Sequence, residues 1–482
     1  MVQQAIRPAA FLRGRADVAL TSVGRFGTLD DAVGLVVDDS PVARTVLSSE
    51  LREIGVGTVV ACGRAGDARK HLERRRFDIV LCDYHFEGSP ATGQDLLEEI
   101  REQRLLPLSC IFFMVTGEAS YEKVVEVVET APDDYLLKPF TADQLARRLE
   151  LAVERKRALM PIYRAIDEGD DPRALAAAAL VFGTENRYRL TAARLAAELC
   201  LKLKDLEGAR RYYRAVLDSN AVPWARVGIA RIANEEGKGA EARRMLTAVI
   251  EENDAYVDAY DLLGQMMVEA GEMDEAMRLF GHARTITPAS VSRLQRYGQL
   301  AFLLGKPDEA EASLAKALRV GSHSRAIEPR SILQLALLRM EAGDSRGVHG
   351  LHLRMKSGSE AAPDDYRLAR MVDLVECAYG IATFRLGGAI EAIERVAAGI
   401  GDAAFDADLA GSFLAVLARL QARDCELPDG CDWVRAIGLR FCTSKAGTTY
   451  LALCAGEHYA PQVVEAQAEI SRLCDECMYM VI

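Results

Sequence analysis

Apolar runs alternate with amphipathic stretches through the first 150 residues of the chain. Short apolar runs at 33–38, 57–62, 78–82, 110–115 and 134–137 are typical of strands that are buried on both faces. The stretches between them carry apolar residues at spacings of three and four, which predicts helices. The pattern therefore predicts an α/β domain built on a doubly wound, five-stranded parallel sheet.

Polar residues stand where several of these strands end. Asp38 and Asp39 stand at the end of the first run, and Asp83, Thr116 and Lys138 directly follow the third, fourth and fifth. The carboxyl ends of parallel strands meet at one edge of a sheet, where ligands bind in folds of this type. Three carboxylates converging there would repel one another unless a cation lay among them. The sequence therefore predicts a divalent-metal site beside a phosphorylatable aspartate.

These residue types suit the formation of an aspartyl phosphate. The reaction needs a carboxylate nucleophile, a metal ion and fixed donors around the phosphoryl oxygens. Asp83 can be the nucleophile, while Asp38 and Asp39 can hold Mg²⁺, which prefers oxygen ligands. Lys138 can pair with Asp83 or with a phosphoryl oxygen, and the Thr116 hydroxyl can follow the phosphate. Each residue alone is more often a turn, cap or solvated residue, but their combination on one sheet favours the functional interpretation.

The end of this domain predicts a stiff connection to the remainder of the chain. Thr141 and Gln144 form a capping-box pattern that opens a helix. The helix runs without a turn signal to Pro161, which either kinks it or opens a new helix. The four charged residues at 154–157 are most simply a solvated helix face. Because no Ser/Gly-rich linker comes after them, we expect little flexibility between the domains.

Composition narrows the class of protein. The chain has 482 residues and a net charge of −12, so several domains are expected, and a nucleic-acid partner is disfavoured unless a local basic patch exists. No apolar run approaches the ~18 residues of a membrane-spanning helix. The eleven cysteines are scattered, which favours reduced thiols and a cytoplasmic location. The Arg-rich segment 1–31 predicts a disordered or irregular extension, with a transit peptide as the alternative.

A 34-residue repeat replaces the strand pattern from about residue 160. Its clearest copy starts at Tyr260, has the small residue Gly264 where two helices approach, and has Gly271 at the end of the first helix. Related copies lie 34 residues before and after it. Beyond Glu328 the helical periodicity continues but the 34-residue register breaks. That part is either degenerate repeats or a helical cap, or else a separate helical domain.

The first domain resembles the receiver domain of bacterial two-component response regulators. The matching segments are VVDDS (36–40), VLCD (80–83), MVTG (114–117) and YLLKPF (135–140). The resemblance covers about residues 33–156 and implies a flavodoxin-like fold. The loop after Asp83 is longer and richer in glycine than is usual in the family, which could alter access to the site.

The resemblance also implies roles for individual residues. Asp83 would be the phospho-acceptor, phosphorylated by a sensor histidine kinase or a phosphotransfer protein. Mg²⁺ would be bound by Asp38, Asp39, Asp83 and the backbone carbonyl of His85. The switch residues would be Thr116 and Tyr135, and Lys138 would be the lysine of the active site. No ligand position is missing, so we expect an active receiver.

The repeat resembles the tetratricopeptide repeat (TPR), strongly over about 223–320 and weakly over 155–220. This resemblance implies an all-α solenoid that binds an unidentified protein on its concave face. Its spacing assigns to that groove Trp224, Arg231, Asn234, Asp258, Asp261, Gln265, Glu269, Gln295 and Gln299. Trp224 is either an exposed anchor for the partner or a residue packed between helices.

Four regions are therefore expected: an extension at 1–31, a receiver at 32–156, TPR-like repeats at 157–328 and degenerate repeats or a cap at 329–482. The expected function is that of a response regulator whose receiver controls protein binding, with no enzymatic activity beyond its own phosphorylation and dephosphorylation. One alternative is a phosphate sink or kinase-docking modulator whose repeats bind independently of phosphorylation. A nucleic-acid regulator is a further alternative, disfavoured by the acidic composition.

Overall fold

The computed structural model describes residues 29–87, 92–117, 132–218, 222–288, 290–321, 327–423, 425 and 427–480. Its two compact units are Met1–Leu262 and Leu263–Ile482, which are described separately. Most of the N-terminal extension expected at 1–31 lies outside the described residues, which begin with a short 3₁₀ turn at Leu29–Asp31. Within the described ranges, every helix is too short or too polar to cross a membrane.

Five parallel strands form the sheet of the first unit. They are β1 (Val33–Val37), β2 (Thr58–Cys62), β3 (Ile79–Asp83), β4 (Ile111–Thr116) and β5 (Asp134–Leu137). Their order across the sheet is β2-β1-β3-β4-β5, and all neighbours are parallel. The chain steps outward from β1 in both directions, which is the doubly wound, flavodoxin-like topology that the sequence predicts.

Helices cover both faces of this sheet. On one face, α1 (Pro41–Ile54) and α4 (Ala142–Asp167) pack against alternate strand residues such as Val36. On the other face, α2 (Ala65–Arg74) and α3 (Gly93–Glu102) pack against the intervening strand residues. Both faces are therefore buried, which explains why the strands appear in the sequence as continuous apolar runs.

The predicted helix caps are present. Ser40 accepts a hydrogen bond from the backbone N–H of Ala43, and Pro41 is the first residue of α1. At the start of α4, Thr141 Oγ1 accepts from the Gln144 N–H at 3.3 Å, and Gln144 Oε1 accepts from the Thr141 N–H at 2.9 Å. Helix α4 continues through Pro161 to Asp167, so no new helix begins at that proline.

The rest of the first unit consists of helical hairpins. Its helices are α5 (Asp171–Phe182), α6 (Arg189–Lys202), α7 (Leu206–Leu217), α8 (Pro223–Glu235), α9 (Gly239–Glu252) and the start of α10 (Val257–Ala270). Successive hairpins turn at Gly169, Lys204 and Gly237, which have φ values of 77°, 62° and 78°. These left-handed turn residues are 33–35 positions apart, as the repeat predicts.

Hairpins continue through the second unit. Its helices after α10 are α11 (Met273–Ile286), α12 (Val291–Leu303), α13 (Pro307–Val320), α14 (Pro329–Glu341), α15 (Ser345–Ala361), α16 (Tyr366–Ala382), α17 (Leu386–Ala397), α18 (Ala407–Gln421), α19 (Gly430–Phe441) and α20 (Lys445–Met480), which is kinked at Gly456. Small residues allow close helix approach, since a Cβ at Gly298 would lie 2.7 Å from Leu314.

The turn positions also explain why the repeat register is lost. Gly271 and Gly305 are 34 residues apart, whereas the next left-handed turns lie at Gly343 and Phe384, 38 and 41 residues further on. Helices α15 and α16 have 17 residues each, against 13 or 14 in α11 to α14. Longer helices therefore replace the regular repeat, and helical hairpins continue beyond Glu328.

Candidate functional site

Three carboxylates meet at the carboxyl edge of the sheet. Asp38 and Asp39 directly follow β1, and Asp83 is the last residue of β3. Strand pairing aligns Val37 with Cys82, which brings the two strand ends together. One oxygen from each carboxylate lies within 4.8 Å of the others. Asp38 is buried, while Asp39 and Asp83 are partly exposed, so the cluster can be reached from solvent.

Lys138 bridges two of these carboxylates. Its Nζ donates to Asp38 Oδ2 at 2.7 Å and to Asp83 Oδ2 at 3.0 Å. Its backbone N–H donates to the Thr116 carbonyl at 2.7 Å, which ties the end of β5 to that of β4. One ammonium against three carboxylates leaves two negative charges uncompensated. A divalent cation would balance them.

The surroundings alter the proton affinity of these groups. Burial, and then the negative charge of Asp38, raise the pKa of Asp83, although Lys138 partly opposes them. Burial acts to lower the pKa of Lys138, but its hydrogen bonds to Asp38 and Asp83 outweigh burial and raise it. Lys138 is therefore a fixed positive charge at neutral pH, and the ionised Asp83 carboxylate is poorly stabilised without further positive charge.

Backbone donors orient the remaining carboxylate oxygens. Asp38 Oδ1 accepts from the Ser40 N–H at 2.9 Å, and Asp39 Oδ2 accepts from the Glu87 N–H. The donor set is made of oxygen atoms alone, which fits a hard cation such as Mg²⁺ better than a metal that prefers nitrogen or sulfur. The His85 ring lies edge-on to Tyr84, with centroids 4.8 Å apart. Metal binding by the His85 carbonyl remains a prediction.

The two predicted switch residues lie inside the domain. Thr116 ends β4 and is 1% exposed. Tyr135 lies on β5 with its ring buried, and its hydroxyl donates to Gln94 Oε1 at 3.4 Å. The segment between them at 118–131 is outside the described residues. Their switch roles therefore remain predictions.

The fold and the acidic edge together define a response-regulator receiver domain. The family model for the response regulator receiver domain matches residues 35–150. The chemotaxis protein CheY of Pseudomonas aeruginosa is 32% identical over 122 residues, which are 25% of this chain and 95% of CheY. CheY-3 of Vibrio cholerae is 32% identical over 124 residues, which are 25% of this chain and 91% of that protein.

Among solved structures, the chemotaxis response regulator CheY4 of Vibrio cholerae matches with 27% identity and a TM-score of 0.23. That match covers 25% of this chain and 98% of CheY4. Because CheY of Pseudomonas aeruginosa is 32% identical and is covered over 95% of its length, the chain belongs to the response-regulator family through its receiver domain. Residues after 150 lie outside the family match.

A second charged cluster, which the sequence interpretation missed, lies at the opposite edge of the sheet. Asp133 precedes β5, and its carboxylate accepts from the Phe112 N–H at 2.9 Å and pairs with Arg155 and Lys156. Lys156 Nζ also donates to the Leu108 carbonyl at 2.7 Å. We call this set the amino-edge clamp: Leu108, Phe112, Asp133, Arg155 and Lys156. Lys156 is 5% exposed, so the interpretation of 154–157 as a solvated face was wrong at this residue.

The groove residues predicted in the first unit lie in different environments. Trp224 packs its ring edge-on against Tyr213, with centroids 5.9 Å apart, and the Arg194 guanidinium lies 5.5 Å from its centre. The tryptophan is thus packed between helices, and part of its surface stays exposed. The other members are Arg231, Asn234 and Asp261, which are partly exposed, and Asp258, which is buried.

In the second unit, two predicted groove residues are exposed and two are not. Gln265 and Glu269 are exposed and hydrogen-bonded to each other at 3.1 Å. Gln295 and Gln299 are only 2% and 7% exposed, which is not the exposure that the repeat spacing predicts. Gln295 Oε1 accepts from the Glu328 N–H at 2.7 Å. These side chains hold the start of α14 and do not line an open groove.

The first helices of the later hairpins are joined to one another. Arg330 of α14 pairs with Asp408 of α18 at 2.7 Å, and Arg367 of α16 pairs with the same aspartate at 2.7 Å. A further ion pair joins the carboxyl-terminal ends of α18 and α14, where Arg419 pairs with Glu341 at 2.7 Å. The charged side chains where these helices meet therefore pair with one another, while Asp408, Arg367 and Glu341 stay 39%, 40% and 45% exposed.

Proposed function

We propose that this chain is a cytoplasmic response regulator that accepts a phosphoryl group on Asp83. The donor would be a sensor histidine kinase or a phosphotransfer protein. Mg²⁺ would be held by Asp38, Asp39, Asp83 and the His85 carbonyl. The observation that carries the proposal is the meeting of three carboxylates within 4.8 Å, two of them bridged by Lys138. Apart from this transfer, the reaction of the chain would be the dephosphorylation of Asp83.

Transfer needs an ionised, correctly placed Asp83. One oxygen of its carboxylate attacks phosphorus, the phosphorus–nitrogen bond of the donor phosphohistidine breaks, and the leaving imidazole nitrogen takes up a proton. When bound, Mg²⁺ supplies positive charge that offsets the carboxylates and the incoming phosphoryl oxygens. The raised pKa of Asp83 explains why such charge is needed at the nucleophile.

The new phosphate would reorganise the residues around it. Phosphorylation adds a charge of about −1.5 to −2, which attracts the Lys138 ammonium and the Thr116 hydroxyl. Each charge-assisted hydrogen bond contributes roughly 1.5–3 kcal/mol, enough to shift a two-state equilibrium. Tyr135 lies on β5, three residues before Lys138, and would follow their movement.

The link to an output runs through α4. Lys138 lies three residues before the Thr141 cap, and α4 extends from there to Asp167. The amino-edge clamp and the hydrogen bond from the Leu108 N–H to Asp167 Oδ1, at 3.3 Å, fasten the far part of this helix to the receiver. We propose that phosphorylation controls a TPR-type protein-binding surface through this helix. Its candidate contacts lie on α8, at Trp224, Arg231 and Asn234.

The test uses a small phosphodonor such as acetyl phosphate. Wild type should take up Mg²⁺-dependent label that Asp83→Asn loses, whereas Asp143→Asn on the exposed start of α4 should label normally. If Asp83→Asn is labelled like the wild type, the assignment of the phospho-acceptor is wrong.

A phosphate sink is the second candidate. The ion pairs that join α14, α16 and α18 favour it, because the charged side chains on these helices already have partners within the chain. The measurement is the affinity of a co-purified partner with and without phosphorylation. An affinity that is unchanged by phosphorylation supports the sink, and a change supports the controlled output.

A further inference from the structure

Arg44 is tied to the backbone of both predicted metal-binding aspartates. It lies in the first turns of α1, and its Nη1 donates to the Asp38 carbonyl at 2.7 Å and to the Asp39 carbonyl at 2.9 Å. One guanidinium nitrogen thus joins two successive peptide units. The orientation of these peptide units fixes the direction in which each Cα–Cβ bond points. The two hydrogen bonds of Arg44 therefore act on the backbone from which both carboxylates project.

Gly63 makes room for this contact from the other side. It follows β2, and a Cβ placed on it would lie 2.8 Å from Arg44 Nη1 and 3.7 Å from the Asp38 carbonyl oxygen. The neighbouring Cys62 carbonyl accepts the Asp38 N–H at 3.2 Å. The loop is therefore held between α1 and the end of β2, and a larger residue at 63 would push the guanidinium away from the carbonyls.

The chemistry of the side chain suits this position. A guanidinium is planar, always charged and holds its donors in a fixed geometry, whereas a lysine ammonium is a mobile point charge. Groups that orient metal ligands without touching the metal typically alter metal affinity by about 10–100-fold when they are removed.

We propose that Arg44 is a positioning residue for the metal site, and that Gly63 supplies the space it needs. This inference rests on the proposed Mg²⁺-dependent phosphorylation of Asp83. Arg44→Gln should weaken Mg²⁺ binding by about 10-fold or more. At saturating Mg²⁺ the phosphorylation rate should return to nearly that of the wild type, because Arg44 does not take part in the transfer.

The experiment is a Mg²⁺ titration of the full chain. Calorimetry gives the dissociation constant, and labelling by acetyl phosphate at increasing Mg²⁺ gives both the half-saturating concentration and the saturated rate. The variants are Arg44→Gln, Arg44→Lys and Gly63→Ala, with Arg52→Gln as the matched control. Arg52 is an exposed arginine on the same helix, so its removal should leave both quantities unchanged.

The results separate this inference from the proposed function. Weaker Mg²⁺ binding in the Arg44 and Gly63 variants, with an intact saturated rate, supports the positioning role. If Arg44→Gln is unfolded in EDTA, Arg44→Lys and Gly63→Ala decide by the same criterion. Mg²⁺ affinities within twofold of the wild type overturn the inference even though Asp83 is still labelled. A wild-type chain that neither binds Mg²⁺ nor is labelled overturns the proposed function instead.

Discussion

Two clusters of charged side chains lie at opposite edges of the receiver sheet. At the carboxyl edge, three carboxylates meet beside Lys138, whose ammonium lies 2.7 and 3.0 Å from two of them. At the amino edge, the single Asp133 carboxylate faces both Arg155 and Lys156. The first cluster carries excess negative charge and is partly open to solvent. In the second, Asp133 and Lys156 are buried while Arg155 is 30% exposed, and the carboxylate has partners on both oxygens.

This difference separates a binding site from a structural contact. Carboxylates without compensating positive charge destabilise the folded protein when no ligand is bound. Cation binding removes this destabilisation. In a buried, compensated ion pair both charges already have partners, so the pair does not favour ligand binding. Removing either partner leaves the other charge buried and uncompensated. Mutations at the two edges should therefore change stability in opposite directions.

The largest effect is expected at Lys156. Replacing it by methionine keeps most of the volume but leaves Asp133 buried with less compensation and leaves the Leu108 carbonyl without its donor. Breaking a buried ion pair in this way costs about 3–5 kcal/mol. Chemical denaturation of the first unit measures this loss. The double variant Asp133→Asn with Lys156→Met should recover much of it, and a single-variant cost below about 1 kcal/mol would contradict the clamp.

Acid should weaken the same contact. Burial alone would raise the pKa of Asp133, but Lys156, Arg155 and the Phe112 N–H outweigh it and lower the pKa. A carboxyl group with a lowered pKa in the folded state contributes stability above its unfolded pKa of about 3.9 and loses it as the pH falls through the folded value. Unfolding free energies of wild type and Asp133→Asn should therefore converge below about pH 4. A constant difference down to pH 2 would argue against this linkage.

The two edges also differ in how far the sequence reveals them. Asp38, Asp83 and Lys138 each end or follow an apolar run, and the topology of parallel strands places such residues on one edge. Lys156 lies within a run of charges on an amphipathic helix, which by itself predicts exposure. Its burial depends on Leu108 and Asp133, which are distant in the chain and are brought to it only by the folded sheet.

The helical region shows the same limit. The 34-residue spacing correctly predicts the turns at Gly237, Gly271 and Gly305, because left-handed backbone favours glycine. It also predicts which side of a helix Gln295 occupies. The spacing does not predict the start of α14, where the Glu328 N–H donates to Gln295 and covers its side chain. Periodicity thus specifies faces of helices, whereas long-range packing determines which faces stay open.

A smaller effect of opposite sign is expected at Asp83. Burial and Asp38 raise its pKa, so at pH 7 its ionised form lowers stability. Asp83→Asn should therefore stabilise the protein in EDTA, by about 1 kcal/mol or less, because Lys138 already offsets part of the cost of burying the carboxylate. Saturating Mg²⁺ should stabilise the wild type more than the variant. Thermal unfolding with and without Mg²⁺ measures the effect of the substitution and the effect of the metal. A variant less stable than the wild type in EDTA would show that the negative charge at the carboxyl edge is already compensated.

The smallest effect is expected at Arg148, whose Nη1 lies 2.7 Å from Asp134 Oδ1. This ion pair is next to the amino-edge clamp in the chain, but its side chains are 46% and 29% exposed. Exposed pairs contribute about 0.2–1 kcal/mol and are weakened by salt, so Arg148→Ala should cost several-fold less than Lys156→Met. Adding about 0.5 M NaCl should abolish the Arg148 effect and leave most of the Lys156 effect, because buried pairs are screened much less. If the two variants lose similar stability and respond alike to salt, burial is not what distinguishes the clamp from an ordinary surface ion pair.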